Sequence, residues 1–200
     1  MRGAAVTGAL LLPVAVIAAE KPATAPSYTY TQVYELVTKA EGGDSAAKTA
    51  GLGSLREAPD VPLAGAAWGR LMVVGGCGKA FVAIRYWDYW RGFVALNAYI
   101  AAHPSDPIPR VWRAASAVDT NYVFWKPAAA RADVAFALQS MTEDPDLPGE
   151  PARCKLLMGI IAKDNGDLEA AMAWWQEAFA ADPAGPAGRE AARYLDLFTG

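Results

Sequence analysis

Residues 154–183 read CKLLMGIIAKDNGDLEAAMAWWQEAFAADP, and the order of small, large and chain-breaking residues in this stretch leaves few folds open. Gly159 and Ala171 are small at positions where two helices would cross closely, and Gly166 permits a turn between them. Trp175 is large enough to fill the groove beside such a crossing. Ala178 is again small, and Pro183 cannot continue a helix. The stretch therefore predicts a helix, a tight turn and a second helix returning along the first. A unit of this kind builds binding surfaces rather than reactions.

With these residues in these places, 152–185 resembles one complete tetratricopeptide (TPR) unit, an antiparallel helix pair about 34 residues long. The middle of the chain carries the same spacing in weaker form. Gly92, Leu96 and Pro104 are separated as Ala171, Trp175 and Pro183 are, although Tyr99 stands where Ala178 would be. A glycine-rich helix, the cluster YWDYW, the pattern G-x3-L-x7-P and a helix with RVWRA follow one another over 62–146. That order resembles a group of bacterial, often exported TPR-like proteins. The resemblance implies an all-α fold over 29–200, with antiparallel helix pairs stacked as a short TPR-like solenoid. A capping helix at 188–198 would close it, offering Ala191, Ala192, Leu195 and Phe198 to the pair before it. The family supplies a fold and no reaction.

Upstream, Tyr30, Val33, Tyr34, Val37 and Ala40 recur at three- and four-residue steps and predict a helix that Gly42 and Gly43 end. Asp44 and Ser45 can cap a second short helix to about residue 57. A long helix is expected over 62–86, rich in glycine at 65, 69, 75, 76 and 78. Each mid-helix glycine costs up to about 1 kcal/mol against alanine, so close contact with neighbouring helix backbones is the expected compensation. Arg70 and Lys79 interrupt this run too often for a membrane span. Further helices are expected over 88–103, stopped by Pro104, then over 108–119 and 127–141, before an acidic turn, TEDPDLPGEP.

Apolar residues make up 54% of the 200, enough for a sizeable core, and the net charge is −3 with a pI near 5.2. No lysine–arginine cluster is visible, which argues against nucleic acid and against an anionic membrane surface. At the N-terminus, Arg2 precedes an uncharged run over 3–19, followed by Glu20 and a Pro/Ala-rich linker over 20–28. This is the form of a secretory signal peptide, with Ile17 and Ala19 placed for cleavage before Glu20. Export to the periplasm is expected, and an uncleaved N-terminal membrane anchor is the alternative. Cys77 and Cys154, the two cysteines, both fall in expected helices and read as buried free thiols.

Chemistry finds little footing. HExxH, GxSxG and GxxxxGK[ST] are absent, and GGCG at 75–78 lacks the spacing of a phosphate loop. Glu143, Asp144, Asp146 and Glu150 lack the spacing of a calcium loop. His103, the one histidine, precedes a helix-ending proline, where a cation favours the helix C-terminus. No catalytic role, cofactor or metal is expected. The seven tryptophans are the other non-random feature. Tyr86, Trp87 and Trp90, with Arg110 and Arg113 downstream, are the candidate binding residues. Aromatics with polar handles are favoured on binding surfaces, and arginine beside them can take a carboxylate or stack on a planar group. Against this stands gap-filling between helices for the aromatics, and pairing with neighbouring acids for the arginines. The expected function is an exported scaffold for a protein or peptide partner in the cell envelope. The alternative is a small-molecule-binding protein with an aromatic, arginine-lined pocket.

Overall fold

The computed structural model describes residues 28–141 and 149–199. The expected signal segment and most of the acidic turn lie outside them. Every element among the described residues is a helix: α1 (Tyr30–Glu41), α2 (Ser45–Ser54) with a 3-10 turn (Leu55–Glu57), α3 (Ala64–Cys77), α4 (Val82–Ala102), α5 (Ile108–Asp119), α6 (Pro127–Ser140), α7 (Glu150–Asp164), α8 (Leu168–Ala181) and α9 (Pro186–Thr199).

The starts and stops follow local chemistry. Thr29 and Gln32 close a capping box on α1, and the Asp44 carboxylate accepts from the amides of Ala46 and Ala47 at the start of α2. Val33, Val37 and Ala40 form the buried stripe of α1. Pro104 follows the end of α4, where His103 is the C-cap residue and its ring lies 4.3 Å from that of Tyr99. The long helix expected over 62–86 is in fact two. The chain leaves α3 at Cys77, crosses Gly78, Lys79, Ala80 and Phe81, and re-enters a helix at Val82, six residues before the expected start at Asp88. Gly78 is the C-cap residue of α3, and Phe81 is extended as the N-cap of α4. The reversal brings the backbones of α3 and α4 together at a pair of glycines: a Cβ on Gly69 would lie 2.7 Å from the carbonyl oxygen of Gly92, and one on Gly92 2.6 Å from that of Gly69. Close approach thus accounts for Gly69, Gly76 and Gly92, whereas Gly75 and Gly78 have no such neighbour.

Helix contacts alternate along the chain. Each of α1, α3, α5 and α7 touches the next odd-numbered helix as well as its chain neighbours, whereas α2, α4, α6 and α8 touch only the helices before and after them. The odd helices therefore form one layer and the even helices a second. One core runs from α1 to α7 around Trp112, Leu71 and Leu96, and a satellite joins Ala171, Trp175, Ala178 and Ala191. In that satellite Trp175 is fully buried, stacked 4.6 Å from Tyr194 and 5.6 Å from Phe198. Gly159 leaves the room it needs, because a Cβ there would lie 2.3 Å from the Trp175 ring nitrogen.

Charged side chains tie the odd layer together. Arg70 of α3 donates to Glu41 of α1 (2.6 Å) and to Ser116 (3.1 Å) and Asp119 (2.5 Å) of α5. Arg153 of α7 reaches the same Glu41 at 2.7 Å, and Tyr34 of α1 donates its hydroxyl to Glu150 of α7. Side chains thus bridge α1 and α7, whose backbones do not touch.

Candidate functional site

The glycine crossing sets a register in which the two glycine- or alanine-marked helices can be compared. Gly92 is the eleventh residue of α4, and Ala171, which holds the same place relative to the buried Leu96 or Trp175, is the fourth residue of α8. Helix α4 therefore begins about two turns, roughly 10 Å, earlier than its counterpart. Those added turns carry exposed apolar side chains. Phe81 is 72% exposed and Trp87 57%, and Val82 and Ile84 are about half exposed. Trp90 (46%) and Val94 (49%) continue the stripe along the helix. The rings of Trp87 and Trp90 stack with centroids 5.0 Å apart. Scattered exposed apolar residues are ordinary, but Ile84, Trp87, Trp90 and Val94 follow one another along one side of α4 and form a stripe of the kind that marks interaction sites.

Three cations lie on or just before this part of α4, and of them Arg91 alone flanks the stripe. Lys79 pairs with the buried Asp88. Arg85 donates through Nε and Nη2 to the Lys79 carbonyl (3.1 and 2.8 Å), and the Arg91 guanidinium lies 5.1 Å over the Trp68 ring. Each cation is held at a fixed place by the protein's own groups, and no acidic side chain of α4 other than the buried Asp88 accompanies them.

The five residues singled out from sequence separate into two groups. Trp87 and Trp90 lie on the exposed stripe. Tyr86 is exposed as well, at 43%, and packs edge-on against Phe124 at 6.1 Å and tilted against Tyr89 at 6.0 Å. Arg110 and Arg113 turn inward onto Asp133 of α6, which is 3% exposed. Arg113 binds both carboxylate oxygens (2.8 and 2.6 Å), reaches Asn97 of α4 at 2.7 Å and lies 3.9 Å over Trp125, whose indole nitrogen also donates to Asp133. Arg110 adds a longer contact at 3.3 Å, donates to the Pro104 carbonyl and covers the ring of Phe136 at 4.3 Å. This clamp fastens α5 to α6 and to α4. It occupies the bidentate face that an arginine would otherwise offer a carboxylate ligand.

The exposure of Phe81, Val82, Ile84 and Val94 is not among the sequence expectations. Placing 78–85 inside one long helix hid the turn that lifts them outward. GKAF after a glycine-rich helix was the available signal, and Gly78 looked like one more crossing glycine. Two depressions lie elsewhere: one of ≈ 290 Å³ is lined by Tyr28, Gln32, Glu35, Leu36 and Lys39, and one of ≈ 230 Å³ lies beside Arg131, Met158 and Trp174. Neither includes any of the five residues. Cys77 is exposed at the end of α3, next to the patch, whereas Cys154 is buried and its thiol is pushed up to about 12, mainly by burial and then by Glu150. Both thiols are free, so Cys77 departs from the expected burial. No described helix is long and apolar enough to cross a membrane. No family model matches the chain, and no curated protein or solved structure does either.

Proposed function

We propose that this protein is an exported, TPR-like scaffold that docks a protein or peptide partner in the cell envelope, in a binding rather than a catalytic role. The observation that carries the proposal is the overhanging start of α4, which holds a stacked tryptophan pair and four further apolar side chains in solvent. Aromatic anchors grouped at the centre of an exposed patch are what binding hot spots are made of. The TPR-like part rests on the two-layer contact pattern and on a repeated detail. Gly159 of α7 makes room for Trp175 of α8, and Gly69 of α3 makes room for Leu96 of α4, whose Cγ would lie 3.1 Å from an added Cβ. Export rests on the uncharged run over 3–19 ahead of Glu20.

In this reading the hollow of the odd layer is filled by Tyr34, Glu41, Arg70 and Arg153, so the partner meets the even layer. The test is affinity capture from envelope extract with wild type and with Trp87→Ala/Trp90→Ala, beside circular-dichroism melts of both. Retained folding with partner capture reduced roughly thirtyfold or more is the expected result for truncated anchors. Equal capture by the two proteins removes this face from the proposal. N-terminal sequencing of the envelope form should begin within a few residues of Glu20. An intact Met1 on cytoplasmic protein removes export.

A further inference from the structure

Resting on that docking reading, we infer that the occupant of the α4 face is a second copy of this chain, lying antiparallel along it about a two-fold axis. No exposed residue of α4 carries a charge: Arg85, Asp88 and Arg91, its charged residues, are all partly or fully buried. Charge is ordinary on free surface and depleted at the centre of interfaces. Helix α4 touches only α3 and α5, so its outer side stands clear of α2 and α6 in its own layer. Along that side Ala83, Trp87, Trp90, Val94, Asn97 and Ala101 follow one another at alternate steps of four and three residues, and all six are exposed. Such spacing is the seam of two helices packed knobs into holes, and it runs for about 27 Å here.

Size then selects the occupant. The bulky side chains, Trp87 and Trp90, lie in the first half of the seam, and the second half is small, with Ala98 exposed beside Asn97 and Ala101. In an antiparallel copy Trp87 lies opposite Asn97 and Ala98, Trp90 lies opposite Val94, and symmetry repeats both contacts. Large therefore meets small throughout, and the surface is complementary to itself. The one polar member, Asn97, already gives its oxygen to Arg113. A parallel copy would set tryptophan on tryptophan and alanine on alanine. A bilayer gains little from the alanine half, and lipid-binding surfaces gather about four to eight basic residues. Arg91 alone flanks this face, turned over its own Trp68 ring.

Area agrees with a dimer. A standard interface takes about 800 Å² from each partner, of which roughly 60% is apolar, or on the order of 500 Å². With about half of each tryptophan exposed, at up to ~250 Å² for the whole side chain, Trp87 and Trp90 supply about half of that apolar area. Ile84, Val94 and the exposed alanines supply the rest.

Sedimentation equilibrium of the purified protein should show a dimer with a Kd in the micromolar range or tighter. Two Arg91 side chains fall on the same side of the pair, so the dimer should tighten as salt is raised. Trp87→Ser/Trp90→Ser should weaken it at least about thirtyfold with helical circular dichroism retained. Ala98→Trp, which adds apolar surface but sets large against large, should weaken it about tenfold, and Trp87→Ala/Ala98→Trp, which exchanges the two sizes, should restore most of the loss. A monomer at about 0.1 mM, a hundredfold above the expected Kd, overturns the inference. If that monomer still captures an envelope protein through Trp87 and Trp90, the docking face stands with a different partner. A dimer indifferent to Trp87→Ser/Trp90→Ser, or one that Ala98→Trp leaves unchanged or tightens, also overturns the pairing. So does a monomer that co-sediments with vesicles of phosphatidylglycerol and phosphatidylcholine.

Discussion

Gly69→Ala and Gly75→Ala place the same methyl group on the same helix, and the packing around the two sites should drive stability in opposite directions. Both changes gain the alanine helix preference, worth up to about 1 kcal/mol. At Gly75 nothing opposes it: the new Cβ would meet Leu52 Cδ1 at 3.8 Å and Lys48 Cδ at 4.0 Å, ordinary contacts. At Gly69 the new Cβ would lie 2.7 Å from the Gly92 carbonyl oxygen, with Ala95 and Leu96 at 3.1 Å. That oxygen belongs to a helix backbone and cannot rotate aside, so α3 and α4 must separate. Overpacking of this kind costs about 1–3 kcal/mol. The helix-preference gain is common to both variants and cancels in their difference, which isolates the crossing. At about 2–4 °C per kcal/mol for a domain of this size, Gly75→Ala should melt roughly 2–12 °C above Gly69→Ala. Gly92→Ala should behave as Gly69→Ala does, and the double variant should cost less than the sum of the two, because one separation admits part of both methyls. Melts by circular dichroism and urea titration measure all four. Equal shifts for Gly69→Ala and Gly75→Ala would refute the argument that backbone contact compensates the glycine.

Other parts of the molecule offer equally direct tests. Arg113→Ala leaves Asp133 buried without its bidentate partner and should destabilise by about 3–5 kcal/mol in urea titration; a wild-type midpoint would instead return Arg113 to the set of free binding residues. Gly159→Leu and Ala171→Leu should each lower the melting temperature by overpacking the Trp175 site, while Glu177→Ala, at a half-exposed ion pair with Lys155, should stay within about 0.5 kcal/mol of wild type. Burial alone would raise the Glu41 carboxyl, but the guanidiniums of Arg153 and Arg70 outweigh it and hold the group below its ordinary value of 4.5. Its stabilising contribution is therefore complete above that value and is lost as pH falls through the lower folded value, so Glu41→Gln should be less stable than wild type at neutral pH and should converge toward it in acid.

Much of the helix pattern is written in local chemistry, which is why it can be read without a structure. Pro104, Pro107, Pro109, Pro127 and Pro183 bracket helices because proline cannot supply an interior amide, and Asp44 marks a start because its carboxylate takes amides the helix leaves open. Gly159 and Trp175 were legible together, since a small residue and a large one at that spacing fit each other and little else. The break at 78–81 was not legible for the opposite reason. Glycine is used in this chain both at helix crossings and at a helix end, and sequence spacing does not separate Gly76, which lies against Tyr89, from Gly78, which caps. The five candidate residues failed to make one surface for a related reason. Arginine near aromatics has the same appearance whether it waits for a ligand or is held by an acid from another helix. Asp133, twenty residues beyond Arg113, carries no local signal that it belongs to the clamp.

These two ambiguities bear on function together, because each moves the binding face. Had 62–86 been one helix, Phe81, Val82 and Ile84 would have belonged to a continuous helical surface, and the arginines would have remained the polar part of the site. With the turn in place, α4 starts two turns early and the apolar stripe stands alone, while Arg110 and Arg113 go into fixing α5 against α6. Of the nearby cations, Lys79 is paired with Asp88 and Arg85 with the Lys79 carbonyl, and Arg91, over the Trp68 ring, flanks the stripe. The interior network has the complementary consequence. Arg70 and Arg153 converge on Glu41, and Tyr34 reaches across to Glu150, so side chains close the space between α1 and α7. In the proposed scaffold a partner meets the even layer, where α4 offers an exposed apolar stripe rather than a groove. On that proposal, recognition rests on how closely an apolar surface of the partner fits along Ile84, Trp87, Trp90 and Val94, not on main-chain pairing in a groove.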